Sequence, residues 1–365
     1  MELISIEFKK AFDSLARSVM WKLLEHYRVP NKITRVIKSL YSNLTCKVIH
    51  NGKLSSGFTV ETGVKQGCIL SPLIFILAID WIMKHAEIRN SGLQWTLTSQ
   101  LHDLDYADDI VLISETLNHL QAKTNRVCEE AAMMGLTINI DKTKTMRVNS
   151  GCNTEVTVNG TGLEDVDKFT YLGSLVNKSG GAEEDAEARI RKARQAFMAL
   201  FKIWKSRLIT RKTKLRLFNS NVKSVLLYGS ETWHMTEAIR KKLQTFLNHC
   251  LRIILKVFWP AWITNEDLWK EAEQKPIDHT IRERKWKWIG HTMRKEPSNI
   301  TRQALRWNPA GKRSRGRPRQ TWRRTVEKEM KIAGMSWGVL PLAAGNRVRW
   351  RADVTAICAA NASMQ

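Results

Sequence analysis

The sequence predicts an α+β fold over residues 1–180 and an all-α region after it. Two patterns point to this. Short β-rich runs alternate with amphipathic helical stretches in the first half, whereas from Glu183 to Phe258 apolar residues recur almost wholly at helical spacing. Charge divides the chain at the same place. Residues 1–180 carry 20 Lys and Arg against 19 Asp and Glu, and residues 181–365 carry 39 against 16, so nearly all of the net +24 lies in the second half. Eleven of the fourteen Trp residues also fall after residue 200. Such an imbalance calls for a polyanionic partner, and nucleic acid fits it better than a membrane surface or an acidic protein.

The elements follow in order. Leu3–Phe8 alternates as a short strand ending near Ala11. Asp13 or Ser14 can cap a helix through Tyr27, with Leu15, Val19 and Leu23 on one face. Asn31 can cap a second helix through Leu44. Cys46–Gly63 reads as a β-hairpin turning at Asn51-Gly52. Ser71–Arg89 is a long apolar helix with Pro72 in its first turn, where Pro is tolerated. The longest apolar run, Cys68–Met83, is interrupted by Ser71-Pro72 and Asp80, so a buried helix is expected and not a membrane span. Leu101–Ser114 gives two strands meeting at Asp108-Asp109, and Asn118–Met134 a helix stopped by Gly135. Short strands are expected around Thr143–Val148, Glu155–Val158 and Phe169–Leu175. The helical region should break near Gly229, and beyond Pro260 short helices alternate with Gly/Pro/Arg-rich connectors.

Six cysteines are scattered without a CxxC pair and read as reduced thiols of an intracellular protein, nuclear or cytoplasmic. No secretory leader precedes the first strand. His249, Cys250 and His291 lack zinc-site spacing, and nothing calls for an oligomer.

The stretch DLDYADDIVL places four carboxylates, Asp103, Asp105, Asp108 and Asp109, beside a run that must be buried. Their repulsion is costly unless a cation sits there. Mg²⁺ takes oxygen ligands and usually only one or two carboxylates directly, leaving places for phosphates and water. Two such ions stabilise both the attacking and leaving oxygens of a phosphoryl displacement. An isolated Asp-Asp turn is ordinarily just a solvated turn, but here it has company. FKKAFDS (Phe8–Ser14), GVKQGCILSPLIF (Gly63–Phe75), YADD (Tyr106–Asp109), GLTINIDKTK (Gly135–Lys144) and FTYLGS (Phe169–Ser174) occur in that order. Together they resemble motifs A to E of reverse transcriptases, in particular those of non-LTR (LINE-like) retrotransposons. LLYGSETW, RERKWKWIGHTMR and GKRSRGRPRQTW in the second half are similar to that family too.

The resemblance implies a right-hand polymerase palm, an antiparallel sheet packed on helices, over residues 1–180. A helical thumb would follow over 181–260 and a basic Trp/Arg-rich extension over 261–365. It implies an RNA-directed DNA polymerase that uses an RNA template, a DNA primer or target, deoxynucleoside triphosphates and Mg²⁺, with Mn²⁺ as a possible substitute. Asp108 would be the metal ligand of motif C, with Asp109 a second or weaker contributor. Phe12 would place a ring against the nucleotide sugar and reject a 2′-hydroxyl; the alternative is core packing. Gln66 and Gly67 would approach the incoming nucleotide, Gly allowing close backbone approach. Lys142 would stand near the pyrophosphate leaving group as a general acid, or be a solvated lysine. Tyr171, Leu172 and Gly173 would turn tightly against the primer end, or form a plain hairpin.

Two departures stand out. The motif A metal ligand of the family is Asp, and this chain has Glu7 there; Asp13, six residues on, is expected to be structural. The extra methylene moves a carboxylate by ~1 Å, where catalytic geometry is held to ~0.5 Å. Mg²⁺ should tolerate that poorly and Mn²⁺ better. The chain also starts on the motif A strand, so a fingers region and endonuclease are expected to be absent, and positioning can be worth ~7–11 kcal/mol of barrier. Impaired polymerisation is therefore expected; the alternative is a non-catalytic nucleic-acid-binding remnant of a retroelement.

In the basic half, Arg189, Arg191, Arg194, Lys202, Lys214 and Arg216 recur along helices whose other face is apolar, so one face should pack and the other track a phosphate backbone. Trp286, Trp288, Trp307 and Trp322 interleave with cations; bases could stack on them, but the core of a small helical unit is the expectation. Arg315 and Arg317 flank Gly316 in RGRP, similar to an AT-hook core that enters a narrow minor groove; the alternatives are a basic linker or a nuclear import signal. If RGRP reads the minor groove, an A/T-rich duplex binds more tightly than a G/C-rich one in a fixed-salt titration. Equal affinities remove the hook.

Overall fold

Strand β1 (Glu2–Ile6) is the spine of the first half of the chain. The computed structural model describes residues 1–96, 99–148, 154–261, 263–307 and 320–360, which divide into two compact units, Met1–Ser179 and Gly180–Gln365. In the first unit β1 pairs antiparallel with β3 (Asp109–Ser114) on one side and β4 (Lys144–Arg147) on the other. β2 (Asp103–Tyr106) pairs with β3 at one edge, and β5 (Glu164–Asp165) runs parallel to β4 at the other. The order is therefore β5-β4-β1-β3-β2.

Side-chain alternation gives this sheet two apolar faces. Ile4, Ile6, Ile110 and Leu112 face the main core, made with α1 (Arg17–His26), α2 (Asn31–Tyr41), α3 (Ser71–Ala86) and α4 (Leu117–Met133). Leu3, Val111, Ile113 and Met146 form a smaller cluster, against which Phe169 and Tyr171 pack. Residues 1–179 thus mix strands and helices as the sequence predicts.

Several boundaries differ for tertiary reasons. Asp13 and Ser14 do not cap α1: they lie in a separate helical turn, Ala11–Ser14, and the residue before α1 is Ala16. The Ala16 N–H is taken by the Met134 carbonyl, which fixes where the helix starts. α2 ends at Tyr41, short of Leu44, because the Leu44 carbonyl accepts from Val60 and is drawn into the small ladder of Thr45–Cys46 with Phe58–Thr59. Pro30, not Asn31, precedes α2. α3 ends at Ala86, and α4 begins at Leu117 under a Thr116 cap. The Asn51-Gly52 turn is present, with both residues at positive φ between paired Ile49–His50 and Lys53–Leu54. The acidic hairpin turns one residue earlier than expected. Tyr106 pairs with Asp109, leaving Ala107 and Asp108 as the turn, with Ala107 at φ 56°.

The second unit is helical among the described residues. α5 (Glu183–Ala199), α6 (Arg211–Leu217) and α7 (Glu237–Leu255) enclose a core around Phe197, Trp204, Phe218 and Leu243. The break occurs at Gly229, φ 75°. α8 (Ile277–Met293) gives Ile277 and Ile281 to that core and Trp286 and Ile289 to a second one with Val326 and Trp350. Trp286 is fully buried, and Trp288 and Trp322 pack partly buried around it, so these rings belong to the core. Two of the cations expected on the outer face are internal. Arg189 is buried with its guanidinium 4.3 Å from the Tyr228 ring, and Lys214 is buried and donates to the Trp204 and Ser206 carbonyls. Among the described residues no helix is long and apolar enough to cross a membrane. Arg315 and Arg317 lie outside the described residues.

Two glycines make a controlled pair. Both adopt positive φ, but a Cβ on Gly63 would lie 2.6 Å from the Asp13 backbone, whereas one on Gly67 meets nothing within 4 Å. Gly67→Ala should lose about 1–2 kcal/mol from backbone strain alone. Gly63→Ala should lose about 3 kcal/mol or more, because overpacking adds to the strain. Equilibrium denaturation in urea measures both.

Candidate active site

The β1–β3 ladder ends with Ile6 opposite Ile110. The next residue on each strand is a carboxylate, Glu7 and Asp109. Asp109 lies at an exposed strand end, yet the protein mass behind it, then Asp108 and then Glu7, hold its carboxyl above the usual range. Glu7, Asp108 and Asp109 therefore meet electrically at one end of the sheet, and the carboxylate coupled to both others is Asp109.

The loop after α4 brings Lys142 to the same place. Asn139 N–H donates to the Glu7 carbonyl (2.7 Å) and Glu7 N–H donates to Thr143 Oγ1 (3.3 Å), lashing the loop to the end of β1. Lys142 Nζ then lies 3.1 Å from the Glu7 carboxylate, both side chains partly solvent-exposed.

The segment before α3 approaches from motif A's other side. Gln66 Nε2 donates to Asp13 Oδ1 (3.2 Å), giving Asp13 a structural partner. The Phe12 ring stacks on buried Phe75 at 4.5 Å and is itself only half-buried. Arg17 fastens the strand leading into this segment, donating to the carbonyls of Val60 (2.6 Å), Thr62 (3.2 Å) and Gly63 (3.3 Å). On its Cβ side Gly67 meets no described residue within 4 Å.

Tyr171, Leu172 and Gly173 form the tight turn between β6 (Lys168–Tyr171) and β7 (Ser174–Asn177), with Leu172 and Gly173 at positive φ. Burial, then the charges of Asp105, Asp109 and Asp103, push the Tyr171 phenol up to about 12, which puts this ring within electrostatic reach of the acidic hairpin.

Comparison with known proteins identifies the family of this part of the chain. The family model described as reverse transcriptase (RNA-dependent DNA polymerase) matches residues 2–176. A transposon-derived protein of Caenorhabditis elegans is 28% identical over 239 residues, 63% of this chain and 85% of that protein. The Pol polyprotein of the type-2 retrotransposable element R2DM of Drosophila melanogaster is 27% identical over 165 residues, 43% of this chain. Residues 2–176 are a reverse transcriptase domain of the non-LTR, LINE-like class. The chain spans only 15% of that Drosophila polyprotein and 32% of an R2 polyprotein from Popillia japonica. Apo telomerase of Candida tropicalis aligns with a TM-score of 0.42 and 18% identity, covering 79% of this chain and 44% of that one. A second model, of a domain of unknown function, matches residues 196–228.

Reverse transcriptases generally use divalent metal ions. The acidic tip supplies hard oxygen donors, and the Asp109 carboxyl is raised first by desolvation and then by the like charges of Asp108 and Glu7, which a cation would offset. Among the described residues no group of three or more His, Cys, Asp or Glu is gathered to hold a metal by itself. Mg²⁺ does not need one, since it completes its shell with water and substrate phosphates.

The reverse transcriptase domain also uses residues that sequence reasoning missed. Lys123 on α4 is 2% exposed and donates to the Ile113 carbonyl (2.7 Å) and the His102 carbonyl (3.2 Å), bracing the acidic hairpin from behind. Burial lowers its pKa to about 8, while burial and then Asp105 raise Asp103 to about 6. Arg17 carried a signal: a cation in the first turn of a helix opposes the macrodipole and needs another reason to be there. In Glu7→Gln the Asp109 carboxyl should titrate at lower pH, because a like charge is removed and Lys142 is freed. Carboxyl-carbon NMR on both proteins measures this, and an unmoved Asp109 would mean that Glu7 is not its electrostatic neighbour.

Proposed function

We propose that the chain is an RNA-directed DNA polymerase module, with residues 1–180 as palm, 181–260 as thumb and 261–365 as a basic extension. It transfers deoxynucleotides from their triphosphates to a DNA primer 3′-hydroxyl on an RNA template. The β1–β3 register that sets Glu7 beside Asp109, next to the Asp108 turn, carries this reading. One or two of Glu7, Asp108 and Asp109, with water and substrate phosphates, would hold a divalent cation, Mg²⁺ or Mn²⁺, which would activate the primer hydroxyl and screen the phosphate charge. Phe12, held on Phe75, limits room at the sugar, and the Gln66–Gly67 backbone receives the nucleotide. The Tyr171–Gly173 turn supports the primer end. Lys142 must leave Glu7 to protonate the leaving pyrophosphate, because the ion pair holds its ammonium there.

That ion pair also favours a second reading. An ammonium already neutralises the carboxylate that should greet the metal, as expected of a non-catalytic nucleic-acid-binding remnant. Primer extension on poly(A)·oligo(dT) separates the two. The polymerase reading expects weak synthesis with Mg²⁺, more with Mn²⁺, a gain of roughly tenfold or more in Glu7→Asp from restored carboxylate placement, and none in Asp108→Ala. If Glu7→Asp is folded and no metal supports synthesis, the remnant reading holds.

A further inference from the structure

The second unit contains a polar cleft of about 430 Å³ that the polymerase reading does not use. It opens beside an irregular segment. After α6 the backbone continues as a π-helix over Phe218–Lys223, and its first apolar residue, Phe218, is fully buried. Helices of this kind occur mostly as short insertions, frequently at functional sites. Here the segment delivers Asn219 and Lys223 into the cleft, whose opposite wall comes from the start of α8 and the loop before it. Residues 196–228, which include it, are those matched by the domain of unknown function.

The charges lining the cleft are unbalanced. Lys223, Lys275, Arg284 and Lys287 face it against Glu273 and Glu283. Three of these cations are already paired: Lys275 and Lys287 with Glu283, and Arg284 with Glu231. Lys223 is not. Its half-buried ammonium donates to the neutral Gln274 amide oxygen at 2.8 Å, and among the described residues no ion pair joins it to a carboxylate, although Glu283 lies within electrostatic reach. Lys223 thus faces Arg284 and Lys275 as well as Glu283, in a cleft open to solvent, and the excess of cations is charge that an anion would offset.

We propose that this cleft binds a phosphate group, with Lys223 as its central contact and Arg284 and Lys287 at its rim. Phosphate fits because a compact, multiply charged acceptor can take hydrogen bonds from several donors at once, and a lysine serves it as a point charge. The state of Lys223 agrees. Burial, then Arg284, lower its pKa to about 8, so part of the cost of keeping it charged is recovered when an anion enters. The phosphate has two possible sources on a nucleic acid, a terminal monoester or the diester backbone.

Site-resolved acetylation tests this on the full, unmutated chain, so no variant need fold. The chain is labelled with an amine-acylating reagent and the Lys223 peptide is quantified by mass spectrometry. Competitors are inorganic phosphate, a 5′-phosphorylated DNA strand and the same strand with a 5′-hydroxyl. Labelling of Lys223 should slow by a factor of one plus ligand concentration over Kd, about tenfold at ten times Kd. Exposed Lys212, away from the cleft, serves as the reference for general screening. Protection by the phosphorylated strand at lower concentration than its hydroxyl twin identifies a terminal phosphate. Equal protection by both strands, exceeding that at Lys212, identifies the backbone. If no competitor protects Lys223 more than Lys212, the proposal is wrong, whatever primer extension gives.

Discussion

The antiparallel register of β1 on β3 is the constraint on which the candidate site depends. Ile4 opposite Leu112 and Ile6 opposite Ile110 place four large apolar side chains on one face, all in the main core. A slip of one residue would turn that face toward the smaller cluster and expose it, at about 25 cal/mol for each Å² of apolar area returned to water. Because burial fixes the register, it also fixes the next position along. Glu7 must stand beside Asp109 whether or not their charges favour it. The hydrophobic core thus holds together like charges that would otherwise separate, and Lys142 offsets part of that repulsion at Glu7.

In each unit some cations serve as internal braces and not as solvated charges. Arg17 holds the carbonyls of Val60, Thr62 and Gly63 in the segment before α3, Lys123 holds the Ile113 and His102 carbonyls of the acidic hairpin, and Lys214 holds the Trp204 and Ser206 carbonyls. Each gives its charge to backbone carbonyl acceptors and not to a carboxylate. A buried ammonium costs desolvation, which appears as the lowered pKa of Lys123 and Lys214, and the carbonyls offset it only in part. A positive chain can use its excess charge in this way because a carboxylate partner for every cation is not required. The net charge therefore overstates how much of the basic surface is available to a polyanion.

The second unit shows the same economy in aromatic form. Trp204, Trp286 and Trp350 fill two adjoining cores, and Trp286 Nε1 donates to buried Glu329, which also takes the Lys285 ammonium. Gly290 has no room for a side chain because the Trp350 ring occupies it. What is left for a ligand is therefore less the Trp-rich face than the cleft lined by Lys223, where cations outnumber carboxylates.

The sequence by itself determined the class of each half, the Asn51-Gly52, Ala107-Asp108 and Leu172-Gly173 turn regions to within a residue, the apolar faces of the helices, and the order of motifs that marks a reverse transcriptase domain. These are local properties: periodicity, turn chemistry and short motifs are carried by neighbours in the chain. Only the tertiary structure decided that α1 starts after Ala16 and not at Asp13, that Asp109 is the shared neighbour of the acids, that Lys142 sits on Glu7, and that Arg189, Lys123 and Lys214 are interior. Each of those depends on a contact between residues distant in sequence, such as Ala16 with Met134 or Lys142 with Glu7. A charged residue looks the same in sequence whether it meets water, a carboxylate or a carbonyl. Its role is set by which partner the folded chain brings within about 3 Å, where hydrogen bonds and close ion pairs form.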